Sequence, residues 1–375
     1  MGEGPARAGT GETGSISRAG LVPAVGFVLA GFGLAGSFLR WTPGVAVGPV
    51  ESLPGLVSSV IALVAFGARR YGARDPRLSL VAGFGMGGLA IAAVVALLYP
   101  VVTGGPDVAV GIGLVAGFAL GSLGVGVAYA DWMRMDPAAF GRRSLRAAAA
   151  LGIGVLGLLV GYVFAGVALQ ALPATDPLLE RGISTAAFSV GLGILAVGFV
   201  AYTGRSLAYI DLRWLSRGDW LYVVGGVIGM FAILLAVGAV TTALGIPSSQ
   251  HGIMAEARRN PTLLLAFIPL SLLAIGPGEE LLSRNIIQKY LYGAYSRRGA
   301  VVVATAVFTV IHLPAYATAG PAAVFATLVR LFAVSLVLGV VYERTDNVIV
   351  SALVHGTYNA VQFGLAYVSL TTGYI

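Results

Sequence analysis

The stretch GPGEELLSR, Gly276 to Arg284, places two adjacent carboxylates and a guanidinium inside an apolar run. Three more polar positions follow in apolar surroundings: His312 at the end of FTVIH, Arg330, and His355 to Asn359 in HGTYN. An ionisable group at membrane depth costs about 2.5–3.5 kcal/mol on insertion scales, so each is a functional candidate by default. Glu280 and Arg284 stand four residues apart with the acid N-terminal, the better orientation for a helical ion pair. Glu279 is turned by about 100° from Glu280, so one carboxylate is neutralised by Arg284 while the other faces elsewhere. Phe308 and His312 share a helix face, as do His355 and Asn359. Gathered in one bundle, Glu279, His312, His355 and Asn359 converge on a polar pocket.

Two hydrolytic chemistries suit that pocket. A divalent metal takes one carboxylate oxygen and two imidazole nitrogens, as in His₂Glu zinc sites, and lowers the pKa of its water to about 7. Alternatively, Glu279 with a histidine acts as general base, and His355 with Asn359 donates to the oxyanion. The residues do not choose between the two. For each residue taken singly, a buried polar contact between helices is the plainer reading; for the ordered set, chemistry is the better one. Glu280 and Arg284 are expected as a structural ion pair and Phe308 as packing. Arg330 is expected as a counter-ion first and as a grip on a substrate carboxylate second. His251, in PSSQHGIMAEARRNP, reads as a solvated loop residue.

The elements that position these residues are membrane helices. Of 375 residues, 57% are hydrophobic and 10% charged, with mean hydropathy +0.90; a soluble domain carries about 25% charged residues. Apolar runs of the length needed to cross a bilayer define eleven spans, at about 21–39, 53–68, 79–102, 108–130, 147–172, 183–204, 220–245, 262–290, 299–313, 321–342 and 348–370. The expected fold is an all-α polytopic transmembrane bundle. Its expected parts are a disordered tail over 1–20, a seven-helix module of unknown role over 21–245, an extracytoplasmic loop over 246–261 and a catalytic four-helix core over 262–375. The tail lacks the apolar region of a signal peptide, so the first span is expected to be retained.

Arginine fills alternate loops, after the second, fourth, sixth, eighth and tenth spans, with Arg258 and Arg259 the main exception. The positive-inside rule then puts the N-terminus inside and the C-terminus outside. Glu279 lies about 15 Å along its helix from Lys289, which argues for a site reached from the cytoplasmic side of the cell membrane. The net charge of +7 comes without a basic tract interleaved with aromatics, so nucleic acid is not an expected partner. Cysteine is absent, which excludes disulfides, thiolate ligands and cysteine nucleophiles. Glycine spacings around Gly83–Gly88 and Gly117–Gly126 read as close helix packing.

The ordered set EELLSR, FTVIH and HGTYN resembles the EExxxR, FxxxH and HxxxN motifs of the CPBP (CAAX protease and bacteriocin-processing, or Abi) intramembrane endopeptidases. The resemblance covers roughly 262–370. It implies an integral membrane protease in which Glu279 activates water, His312 is its partner or a metal ligand, and His355 and Asn359 complete the site. It implies Glu280 and Arg284 as the motif's supporting positions. A divalent metal, zinc first, held by Glu279, His312 and His355 is expected over a glutamate-only mechanism. Expected partners are membrane lipid and a membrane-associated or lipidated protein or peptide substrate. The competing expectation is a catalytically silent membrane scaffold or immunity protein of the same fold. A transporter using buried charges as a proton relay is a third, and the confinement of those charges to the last four helices argues against it.

Overall fold

The computed structural model describes residues 20–39, 49–103, 108–172 and 176–373. The tail expected over 1–20 lies, but for Gly20, outside them. The described residues are helical, joined by loops and single turns. The eleven principal helices are α1 (Leu21–Leu39), α2 (Pro49–Arg70), α3 (Arg77–Thr103), α4 (Val108–Trp132), α5 (Pro137–Ala171), α6 (Pro177–Tyr202), α7 (Arg217–Ala243), α8 (Leu263–Leu291), α9 (Arg297–Ile311), α10 (Pro321–Thr345) and α11 (Val348–Thr372). Among the described residues, eight of them, α2 to α8 and α10, are long and apolar enough to cross a membrane. The other three expected spans are not among those eight. Among the described residues α1 offers the apolar stretch Leu21–Ser37, and α9 has 15 residues. At 25 residues α11 is long enough, but His355, Asn359 and Gln362 dilute its apolar content. The protein is a multi-pass membrane protein.

The chain divides into two compact units, one of residues up to Leu97 with Ala109–Gly141, the other of Leu98–Val108 with Arg142 onward. In the first unit small residues bring helix backbones together. A Cβ on Gly85 would stand 2.7 Å from the Ser58 carbonyl, and one on Gly121 would stand 2.7 Å from the Met86 carbonyl. Asp131, 5% exposed, accepts from both Arg69 (2.8 and 3.0 Å) and the Ser79 hydroxyl (2.5 Å). A carboxylate bonded by three donors is compensated for its burial.

In the second unit α5, α6 and α7 pack against α8 to α11. Leu282 and Ile286 of α8 share a core with Ala150 of α5, Leu192 and Ala196 of α6, and Val307 of α9. Val223 and Met230 of α7 pack with Leu338 of α10 and Val354 of α11. The loop arginines expected as topology signals have a second use. Arg142, Arg143 and Arg146 lie in the first turns of α5 rather than in a loop, because no breaker separates Pro137 from the apolar run. Arg143 Nε donates to the Ala294 carbonyl (2.9 Å) and Arg146 Nη1 to that of Tyr290 (2.7 Å), which ties the start of α5 to the turn that ends α8. Asp211, between α6 and α7, accepts from Tyr342 (2.6 Å) and Lys289 (2.6 Å) while its backbone N–H donates to Asn285 (2.7 Å). This ties the loop to α8 and α10.

Within α8 the hydrogen bonding changes pitch. Residues Ser271–Ile275 and Leu281–Gln288 are π-helical, and the α-helical turn Gly276–Glu280 lies between them. The first π segment falls where Pro277 has no N–H to offer the Leu273 carbonyl four residues back. The turn carrying the two glutamates meets α11 at backbone contact. A Cβ on Gly276 would come within 2.6 Å of the Ala352 carbonyl, and one on Gly356 within 2.6 Å of the Ser271 carbonyl. Neither backbone can yield as a flexible side chain would. Gly356→Ala is therefore expected to destabilise the fold by about 1–3 kcal/mol, the cost of overpacking. Thermal unfolding in detergent checks this against Gly364→Ala on the same helix, where a Cβ would meet only Ile268 Cδ1 at 3.9 Å.

Candidate functional site

Four chain segments deliver the polar residues to one place. The Gly276–Glu280 turn of α8 carries both glutamates. Helix α9, capped at its start by the Ser296 hydroxyl, ends with His312 as its last cap; Pro314 follows in the one-turn helix Leu313–Tyr316. Helix α11 is started by Asn347, whose side chain accepts from the Ile349 N–H (3.2 Å), and presents His355 two turns later. Helix α10 contributes Ser335 and Arg330.

Glu280 and Arg284 are both 0% exposed and form the expected i,i+4 pair, Arg284 Nε donating to Glu280 Oε2 at 3.1 Å. Arg284 Nη2 donates to Ser335 Oγ at 2.7 Å, and the guanidinium stacks over the Phe308 ring at 5.3 Å. The other oxygen of Glu280 accepts from His355 Nδ1 at 3.0 Å. Glu279 turns the other way, its Oε2 at 3.5 Å from His312 Nε2 and 4.0 Å from His355 Nε2. Phe308 packs against His312 with centroids 4.1 Å apart and meets His355 edge-on at 6.2 Å.

The partners assign the proton on each imidazole. His312 Nδ1 lies 2.8 Å from the Phe308 carbonyl, which only accepts, so Nδ1 carries the hydrogen. His355 Nδ1 faces a carboxylate already paired with Arg284, and the same follows. Each neutral ring therefore turns a bare Nε2 lone pair towards Glu279 Oε2. Three acceptors facing one another repel unless a donor or a cation stands between them. An imidazole whose far nitrogen is fixed by a carbonyl or carboxylate also has the orientation that metal-binding histidines use. Among the described residues, however, no group of three or more His, Asp or Glu side chains is arranged to hold a metal ion.

Glu279, His312 and His355 face a cavity of about 1020 Å³, together with Asn359 and Arg330. Among the described residues neither Asn359 nor Arg330 has a hydrogen-bond or ion-pair partner within the protein. The counter-ion role expected for Arg330 thus has no ion pair within 4.0 Å among the described residues to carry it. The lining residues of α8 run from Phe267 to Ser283, and those of α11 from His355 to Ala366. Residues Ser248–Met254 and Pro314–Tyr316 complete the wall. The cavity therefore lies towards the 246–261 loop and away from the Lys289 end of α8.

His251 is exposed, as its loop position suggested, and it also belongs to that wall. Surrounding protein lowers its pKa from the ordinary value, through desolvation first and then the nearby His312, against an opposing pull from Glu279. Its rarity was the available signal, since the chain has three histidines and the other two sit in motifs. Ser335, which completes the bonding of Arg284, carried no such signal.

No curated protein and no solved structure matches the chain. The family model that matches is that of the type II CAAX prenyl endopeptidase Rce1-like proteins, over residues 261–361. The match contains every motif residue that meets at Glu279. It begins just before α8 and ends within α11, so α5 to α7 lie outside it while packing against it. Residues 261–361 therefore form an Rce1-like type II CAAX prenyl endopeptidase domain of the CPBP family, a family of intramembrane proteases.

Proposed function

We propose that the protein is an intramembrane endopeptidase that hydrolyses a peptide bond of a membrane-associated or lipidated protein or peptide. One observation carries the reading: two imidazole lone pairs and a carboxylate oxygen converge at 3.5 and 4.0 Å on a cavity wall. A water there donates to Glu279 and is held by an imidazole. Glu279 takes its proton as the water oxygen bonds to the carbonyl carbon. The Asn359 amide, free of internal partners among the described residues, donates to the oxygen that gains charge. As the C–N bond breaks, Glu279 returns the proton to the leaving nitrogen. Glu280, held by Arg284, keeps the His355 ring in its tautomer.

The donor chemistry of Glu279, His312 and His355 also suits a divalent cation, zinc first, which when bound supplies a water of pKa about 7. Arg330 supplies an uncompensated positive charge for an acidic group of the substrate. The cavity's apolar walls, including Leu158, Leu169, Phe188 and Leu234, support an occupant with an apolar chain. Helix depth argued for cytoplasmic access. The lining residues instead support an opening on the side of the 246–261 loop, which the arginine distribution assigns to the outside, or laterally into lipid.

Bound metal measured by mass spectrometry on detergent-purified protein tests the finer mechanism, alongside cleavage of quenched fluorescent peptides. About one zinc per chain, lost in His312→Ala and in His355→Ala, is the expected result. Metal-free wild type that still cleaves after chelator-free purification would leave Glu279 as general base without a metal. Failure of metal-loaded wild type to cleave any peptide would favour the scaffold.

A further inference from the structure

All three histidines of the chain line one cavity. Two arrive on α9 and α11, and the third, His251, comes from the loop between α7 and α8. That loop is stitched in place. The Gly252 N–H donates to the Ala315 carbonyl at 3.0 Å, which joins the backbone beside His251 to the segment that follows His312. The Ser249 N–H donates to Thr327 Oγ1 at 2.9 Å, and the Ser249 hydroxyl donates to the Tyr316 carbonyl at 2.5 Å. The His251 ring stands edge-on to Tyr316 with centroids 5.3 Å apart and planes at 88°.

The ring's proton is assigned by the backbone. His251 Nδ1 accepts the Ile253 N–H at 3.2 Å. A nitrogen that accepts carries no hydrogen, so the neutral ring bears its proton on Nε2. This is the opposite tautomer to His312 and His355. One cavity thus holds two imidazoles with a basic Nε2 and one with a donating Nε2–H. Amide hydrolysis needs both kinds of group, a base for the water and a donor for the carbonyl oxygen that becomes an oxyanion.

We propose that His251 Nε2–H donates a hydrogen bond to the carbonyl oxygen of the scissile peptide bond, beside the Asn359 amide; this deepens the hydrolase reading and rests on it. As the water oxygen bonds to the carbonyl carbon, the π pair of the C=O bond moves onto the oxygen. His251 keeps its proton throughout. The water's proton goes to Glu279 and then to the departing nitrogen, and the oxyanion pair re-forms the C=O bond as C–N breaks.

Two measurements test this. Nitrogen-15 NMR of histidine-labelled protein in detergent, at a pH where the rings are neutral, reads each tautomer without any need for activity. Three sets of ring signals are few enough to assign by single substitution. Nε2–H is expected for His251 and Nδ1–H for the other two; Nδ1–H at His251 overturns the proposal. The second is cleavage of quenched fluorescent peptides by His251→Phe, which keeps a ring against Tyr316 and removes the donor. The expected result is a fall in kcat of about 10²–10³-fold at unchanged KM, as for loss of one oxyanion donor. His251→Gln, whose amide donates, is expected to recover part of kcat, and it carries the test if the Phe variant does not fold. Full activity in His251→Phe, or a change confined to KM, overturns the donor role alone. Wild type that cleaves no peptide overturns the hydrolase reading and the donor role with it.

Discussion

Glu279→Gln is expected to lower kcat for peptide cleavage by about 10²–10⁴-fold, the range lost with a general base. The substitution is close to neutral for the fold. Glutamine has the shape of glutamate, and its amide N–H₂ can donate to the bare Nε2 of His312, where the carboxylate oxygen faces that nitrogen at 3.5 Å. Two acceptors become a donor and an acceptor. Thermal unfolding of the variant in detergent should thus match or exceed that of the wild type while activity is lost. Activity within a few-fold of wild type would remove Glu279 from the chemistry. A parallel loss of folding would make its role structural.

The second large effect lies five residues further along. Arg284→Met should destabilise the protein by about 3–5 kcal/mol, the cost of stranding a buried charge. Arg284 and Glu280 are both fully enclosed, so no solvent remains to soften the loss. Arg284 also holds Ser335 across to α10, and a lysine, with one point of charge on a flexible stem, cannot make the guanidinium's separate bonds. The double variant Glu280→Gln with Arg284→Met should be more stable than Arg284→Met alone, because no unpaired ion remains. Denaturation of both in detergent separates the alternatives. A cost under about 1 kcal/mol for the single variant would mean that the pair contributes no more than a surface ion pair does.

The parts of this architecture that repeat within one helix were legible in the sequence. Apolar length located the helices, and the four-residue spacing of Glu280 and Arg284 correctly paired them, since both signals are local. The divergence of Glu279 from Glu280 followed from helix geometry for the same reason. Contacts between distant segments left no such mark. Nothing in the chain before α8 announces that Leu282 will pack with Ala150 and Leu192, because apolar helices offer many equivalent partners. His251 is exposed, as its loop position suggested; that it also lines the cavity depends on bonds from Ile253, Ala315 and Thr327, which its own position does not announce. Arg330 was expected to meet an acid because an isolated charge is costly. The cavity provides another way to tolerate it, by leaving it accessible.

The wide turns on either side of GPGEE have a bearing on how relatives should be aligned. A π-type turn takes in one more residue than the α-turn it replaces. A homologue that lacks one of these turns will therefore be shorter inside the helix, with its loops unchanged in length. Gap placement that protects helices would move the deletion into a neighbouring loop and shift one glutamate of the pair onto the other's column. For the segment Ser271–Gln288, a one-residue gap within the helix is the physically sound choice, and Glu279 and Glu280 should be told apart by their partners rather than by their distance from the helix start.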